Sequence, residues 1–155
     1  MTQDACRLED VCVFCRIVRG EIPASTVYED DQVLAFLDIA PLSPGHTLVI
    51  PKAHHVSLTT VPAVLIGQLF AAAGRIAPAV MRAVDGDGFN LLLSNGSCAG
   101  QVVPHVHLHV IPRSADDGLV LPHRTRPYAT DADRQAVQDA IRHRLAAAAA
   151  VVPTP

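Results

Sequence analysis

The sequence predicts an α+β domain, a five-stranded antiparallel sheet with two helices packed on it. Three observations lead there. Five short apolar runs are set apart by turn-forming residues. A long segment with helical spacing follows the third run, and a second follows the fifth. The order of strands and helices is not the strict alternation that a parallel sheet requires.

Residues 1–10 are polar and unpatterned, a flexible lead-in. CVFCRIVRG (12–20) suits a short helix, stopped by Gly20 and Pro23. Strands are expected over 25–31, 32–40 and 46–54, broken by the acidic Glu29–Asp31 and by PLSPG at 41–45. Pro62 opens a helix reaching about residue 84, with Leu65, Leu69, Ala73, Ile76 and Val80 on one stripe. Two more strands, 89–96 and 102–112, surround the loop NGSCAGQ. A final helix covers about 131–150, with Thr130 and Asp133 placed to cap it, and 151–155 frays. Both helices are expected on one side of the sheet. The whole forms a single domain over 11–150, with its core in 12–113.

With 155 residues, half of them hydrophobic, and a net charge of −3, the chain is long enough for a real core and carries no basic excess for nucleic acid. The start, MTQDACRLED, has no apolar signal region, and LAAAAAVV (145–152) is too short to span a bilayer. The expectation is a cytoplasmic protein without nucleic-acid or membrane partners. Of the four cysteines, Cys12 and Cys15 form a CxxC pair, which in such a protein points to metal or redox chemistry rather than disulfides. Cys6 and Cys98 read as incidental thiols.

PHVHLHVIPR (104–113) carries His105, His107 and His109 at every second position. In a strand these share a face, leaving Val106, Leu108 and Val110 to the core. Rings at the two ends attach about 13 Å apart, whereas a zinc–nitrogen bond is about 2 Å. Two can meet one ion; three hardly can, so the row divides its labour. The bland alternative is a solvated polar strand face. The preceding SNGSCAGQ supplies Asn95, Gly96, Gly100 and Gln101, small and polar residues that let backbone N–H groups approach an anion.

These residues resemble the histidine triad (HIT) family of nucleotide hydrolases and transferases, in its bacterial branch with a CxxC pair. The likeness runs through CVFCRIVRGEIPA, VYEDDQVLAFLDIAPLSPGHTLVIPKAHH, SNGSCAGQ and HVHLHVI, about two thirds of the chain. It implies the HIT-like fold, with the sheet continued across a homodimer to which the long helix contributes surface. It implies that His107 attacks an α-phosphorus and forms a covalent nucleotidyl-histidine, which water then cleaves. A backbone carbonyl fixes its tautomer. His109 contacts the phosphate, and Gln101, with backbone donors from Gly100 to Val102, binds phosphate oxygens; no cofactor is needed for this chemistry. Where several relatives carry a hydroxyl after the glutamine, this chain has Val102.

The resemblance also implies a structural zinc held by Cys12, Cys15, His54 and His105, with His55 the rival to His54. It walls a base slot with Phe14, Ile17, Phe36 and Ile39, puts Asp38 on the ribose, and places Asn95 near the nucleotide. Taken without the family, Phe14 and Phe36 are plain core residues and Asp38 caps a turn. His46, His123 and His143 are assigned to packing or surface. The expected activity is hydrolysis of AMP- or GMP-type conjugates such as phosphoramidates. The alternatives are dinucleoside polyphosphate cleavage (by hydrolysis or phosphorolysis) and a non-catalytic nucleotide-binding regulatory module.

Overall fold

Two strands, Val33–Leu37 and Thr47–Pro51, are apolar at successive positions rather than alternate ones, and every residue but Leu37 is buried. A strand without a polar face needs cover on both sides. The computed structural model describes residues 8–120 and 126–149 and shows that cover. In order, the elements are α1 Leu8–Val11, α2 Val13–Val18, β1 Thr26–Glu29, β2 Val33–Leu37, β3 Thr47–Pro51, α3 Ala63–Ala83, β4 Gly88–Leu92, β5 Leu108–Arg113 and α4 Asp131–Ala149. The five strands form one sheet, ordered β1-β2-β3-β5-β4, antiparallel throughout.

On one face, the α3 stripe of Leu65, Leu69, Ala73, Ile76 and Val80 packs on Val33, Ala35, Val49, Leu108 and Val110. Burial of each Leu, Ile or Val is worth about 1.5–3 kcal/mol. By composition α3 is apolar enough to cross a membrane, with a mean hydropathy of 1.6, but here its stripe is spent on the sheet. On the other face, Cys12, Phe14 and Cys15 pack on Leu34, Phe36, Leu48 and Ile50. α2, expected only as a short helix, thus covers the face that α3 leaves bare. α2 is only six residues long, too short to show a helical stripe, and the signal for its cover lay in the unbroken apolar runs of β2 and β3.

The last strand also starts later than expected, at Leu108 rather than 102. Pro104 has no N–H to give a ladder. The N–H of His105 turns to the Val103 carbonyl (2.8 Å) and that of Val106 to the His55 carbonyl (2.6 Å). His105 and His107 therefore sit in an irregular lead-in, and only His109 is in register, opposite Leu48 and Leu92.

The chain divides into two compact units, the second beginning at Val120 and containing α4. Thr130 and Asp133 cap that helix reciprocally, each side chain accepting from the other's backbone N–H (3.1 and 3.0 Å). The expectations for Cys6, His123 and the tail 151–155 lie outside the described residues.

Candidate functional site

Two groupings of polar side chains sit beside His107. The first holds Cys12, Cys15, His54 and His105, whose donor atoms all lie within 4.8 Å of one another. α2 brings the cysteines, the segment after β3 brings His54, and the lead-in to β5 brings His105. The His105 Nδ1 is 3.5 Å from Cys12 Sγ and 3.6 Å from Cys15 Sγ, and the His54 Nδ1 is 3.2 Å from Cys15 Sγ. Zinc bonds of about 2.3 Å to sulfur and 2.0–2.1 Å to nitrogen, at a tetrahedral angle, separate S from N by about 3.6 Å. The donor set fits that ion. His105 is fully buried, and its Nε2–H donates to the Pro51 carbonyl (2.9 Å), which leaves the Nδ1 lone pair facing the thiols. Burial, with Cys12 alongside, pushes the Cys15 thiol up to about 12, and a cation held among these donors would bring it down. His54 rather than His55 takes the fourth place; the His55 carbonyl instead accepts from Val106.

The second grouping is built around His107 and His109, whose ring centroids are 4.8 Å apart. His107 Nδ1–H donates to the His105 carbonyl at 2.7 Å, so the lone pair of the neutral ring lies on Nε2. The tautomer of His109 is set by a longer chain. The Leu42 N–H donates to His46 Nδ1 (3.1 Å), so neutral His46 carries its proton on Nε2. That proton is given to His109 Nδ1 (2.9 Å), leaving the His109 proton on Nε2. Burial lowers the His109 pKa to about 4, reinforced by His107 and His46, and burial also lowers that of His46, opposed by Asp38. Both rings are neutral at pH 7.

His46, assigned to packing or surface, is 2% exposed and, beyond packing, donates to His109. A lone histidine after a turn carries no signal of this. The signal lies in register: Leu48 stands opposite His109, so His46, two residues before Leu48, falls diagonally on the same face.

A cavity of about 390 Å³ opens on this second grouping. Phe14 and Phe36 line it, their rings edge-to-face with centroids 5.6 Å apart, and Phe14 lies 5.4 Å from His107. Both are also core residues, so the wall and core readings hold together. Ile17 lines the cavity and Ile39 stands fully exposed at its rim. Asp38 serves the turn with one oxygen, accepting from the Ala40 N–H (2.9 Å), and lies 3.7 Å from His46 with the other. Asp38, His107 and His109 supply the polar side chains among the described lining residues.

The glycine loop is more self-contained than expected. Gly96 and Gly100 have φ of +85° and +89°, a conformation that costs other residues energy. The Gly100 and Gln101 N–H groups close onto the Ser97 and Gly96 carbonyls (3.0 and 3.1 Å). The Gln101 side chain is engaged as well, its Oε1 accepting from the Gly96 N–H (2.7 Å) and one Nε2–H donating to the Val56 carbonyl (2.8 Å). Gln101 thus holds the loop. Asn95 accepts from the Leu58 N–H (2.7 Å) and fixes the neighbouring turn. Of the three expected backbone donors, only the Val102 N–H has no backbone partner among the described residues.

Comparison with known proteins agrees with this geometry. The profile of the HIT domain family matches residues 19–116. The adenylylsulfatase HINT3 of Arabidopsis thaliana is 42% identical over 84% of this chain, which spans 66% of that protein. The adenosine 5′-monophosphoramidase HNT1 of Candida albicans is 35% identical over 79% of this chain and 83% of its own length. A crystal structure of a HIT family member from Bacillus subtilis superposes with a TM-score of 0.79 at 38% identity, covering 94% of this chain and 99% of its own. A zinc-bound histidine triad protein from Mycobacterium smegmatis gives 0.69 at 40% identity, covering 86% and 99%. With most of its first unit inside the family profile and a shared sheet topology, the chain belongs to the HIT domain family.

Proposed function

We propose that the protein is a nucleotide hydrolase that cleaves the α-phosphate bond of a purine nucleoside monophosphate conjugate through a covalent nucleotidyl-His107. The observation that carries this is the His107 tautomer: its Nδ1–H is tied to the His105 carbonyl, so its Nε2 lone pair is free beside the cavity. The base would lie against Phe14 and Phe36, with Asp38 near the ribose. The His107 Nε2 attacks phosphorus, the bond to the conjugated group breaks, and the leaving group takes the electron pair. His109 donates from Nε2 to a phosphate oxygen as charge builds there. Water then attacks phosphorus, the P–N electron pair returns to His107, and the water proton goes to solvent. The relatives named adenylylsulfatase and phosphoramidase support this kind of reaction.

Cys12, Cys15, His54 and His105 would hold a structural zinc, which supplies cross-linking of α2 to the lead-in of β5 and takes no part in the steps above. A homodimer joined along β4 is part of the reading. That edge strand exposes Phe89, Leu91 and Leu92. Dinucleoside polyphosphates are the second choice of substrate, since the described cavity wall holds no lysine or arginine for a polyphosphate chain.

The test is release of AMP from adenylyl sulfate and from adenosine 5′-phosphoramidate, by wild type and His107→Asn, with acid-quenched mass spectrometry for the adenylylated protein. Turnover and adduct in wild type, both absent from the variant, are expected. Wild-type rates at the level of the variant would leave a nucleotide-binding module in place of an enzyme.

A further inference from the structure

We propose that His54 is the exchangeable member of the cysteine–histidine cluster: a small lone-pair donor from solution can take its place on a bound ion while Cys12, Cys15 and His105 keep hold. This rests on the zinc reading above and goes beyond it by ranking the four donors and naming the place at which the site opens.

The two histidines of the cluster are held unequally. His105 is fully buried, its Nε2–H is satisfied by the Pro51 carbonyl at 2.9 Å, and its Nδ1 stands 3.5 and 3.6 Å from the two sulfurs. That outer hydrogen bond fixes both the tautomer and the orientation of the ring. His54 turns its Nδ1 to Cys15 Sγ (3.2 Å), but its Nε2 is buried with no hydrogen-bond partner among the described residues. A neutral ring that offers its Nδ1 lone pair to an ion carries its proton on Nε2. The proton that would steady His54 therefore has no acceptor. Removing such an outer partner typically weakens metal binding about 10–100-fold.

Backbone and access separate the donors in the same direction. Cys12 caps α2 and Cys15 lies within it, whereas His54 sits in the irregular segment after β3. A cleft of about 380 Å³ borders the cluster, and Cys15 and His54 line it together with Val18, Lys52 and His55. Neither Cys12 nor His105 lines this cleft. Solvent thus meets the cluster at the Cys15–His54 corner. Exchange there involves no redox step. The Nδ1 lone pair of His54 gives way to the lone pair of the incoming donor, both thiolates keep their charge, and His54 stays neutral. The link from α2 to the lead-in of β5, made by Cys12, Cys15 and His105, is unbroken throughout.

The experiment loads wild type, His54→Ala and His105→Ala with zinc or with cobalt(II), whose visible spectrum reports tetrahedral thiolate coordination. Transfer of the ion to a coloured chelator is then followed with and without added imidazole. His54→Ala should keep one ion per chain and release it at least about tenfold faster than wild type. Imidazole should restore its wild-type cobalt spectrum and slow the release. His105→Ala should hold no ion, with or without imidazole. Loss of the ion from His54→Ala as complete as from His105→Ala, release at the wild-type rate, or no response to imidazole would each overturn the proposal while the zinc reading stands. His54 is half-buried and stands outside both apolar clusters, so His54→Ala decides the matter whether or not His105→Ala folds. A wild type that takes up neither ion would bring down the zinc reading itself, and this ranking with it.

Discussion

His105 and His109 stand two residues to either side of His107 in the chain, and burial keeps both imidazoles neutral at pH 7, yet they are built for opposite ends. The nitrogen of His105 that faces inward meets two thiols, and its outer nitrogen is tied to the Pro51 carbonyl. Neither it nor its sulfur neighbours line the cavity beside His107. His109 is held from behind by His46, and its free N–H side belongs to the cavity wall. The difference teaches that spacing along the chain places three rings, while the partner behind each ring decides its work.

The sharpest way to break the comparison is to remove the outer and the central ring separately. His107→Asn should lower kcat for AMP release on the order of 10³-fold or more, with thermal stability near wild type. His105→Asn should do the reverse in kind, lowering stability first, because it takes a ligand from the cluster and leaves two buried thiols. Melting curves and initial rates on both variants check this. Comparable melting losses in the two would mean the division of labour is wrong.

Metal removal sharpens the same line. A strong chelator, or Cys15→Ser, should lower the melting temperature by about 10 °C, corresponding to several kcal/mol for a chain of this size. Metal content by plasma emission should fall from one ion per chain to none. A metal-free wild type with an unchanged melting point would show that the four residues are only a thiol–imidazole packing cluster.

How much of this was open to the sequence depends on whether the deciding contact is local. The α3 helix was legible to within a residue at each end because its stripe of Leu65, Leu69, Ala73, Ile76 and Val80 repeats along one segment. Cys12 and Cys15 were legible as a pair because three residues of separation bring two thiols together almost regardless of the rest. The late start of β5 was not legible: it depends on the His55 carbonyl taking the Val106 N–H, a contact across 51 residues of chain. Nor was the placement of Gln101, whose residue type suits phosphate binding as well as loop locking. Its partners, Gly96 and Val56, emerge only once the loop has closed. The contact of His46 with His109 was hidden for the same reason, since only the β3–β5 register brings the two together.

His46 offers a smaller test. His46→Phe keeps a buried ring but neither accepts from Leu42 nor donates to His109. kcat should fall about 10–100-fold with KM little changed, since the lost function is orientation of a donor during charge build-up. His46→Gln, which retains a side-chain donor, should recover part of the loss. If Phe and Gln variants behave alike, His46 only packs.

The smallest expected effect concerns acid. In the unfolded chain a histidine titrates near about 6.5, whereas burial, with His107 and His46 nearby and Asp38 in opposition, holds His109 at about 4 in the fold. Above the unfolded value His109 is neutral in both states and contributes no slope. As pH falls below it, the unfolded chain binds a proton that the native ring refuses, and stability is lost until the native ring also protonates near about 4. One such group costs at most about 1.4 kcal/mol per pH unit within that window. An ion held by the cysteine–histidine cluster would also bind less well in acid, so the measurement is a difference between wild type and His109→Asn, in which that shared contribution cancels. Wild type should lose more stability than the variant between pH 6.5 and 5. Parallel curves would mean that His109 is solvated enough to titrate normally, and the neutral pair with His46 would then fail near neutral pH.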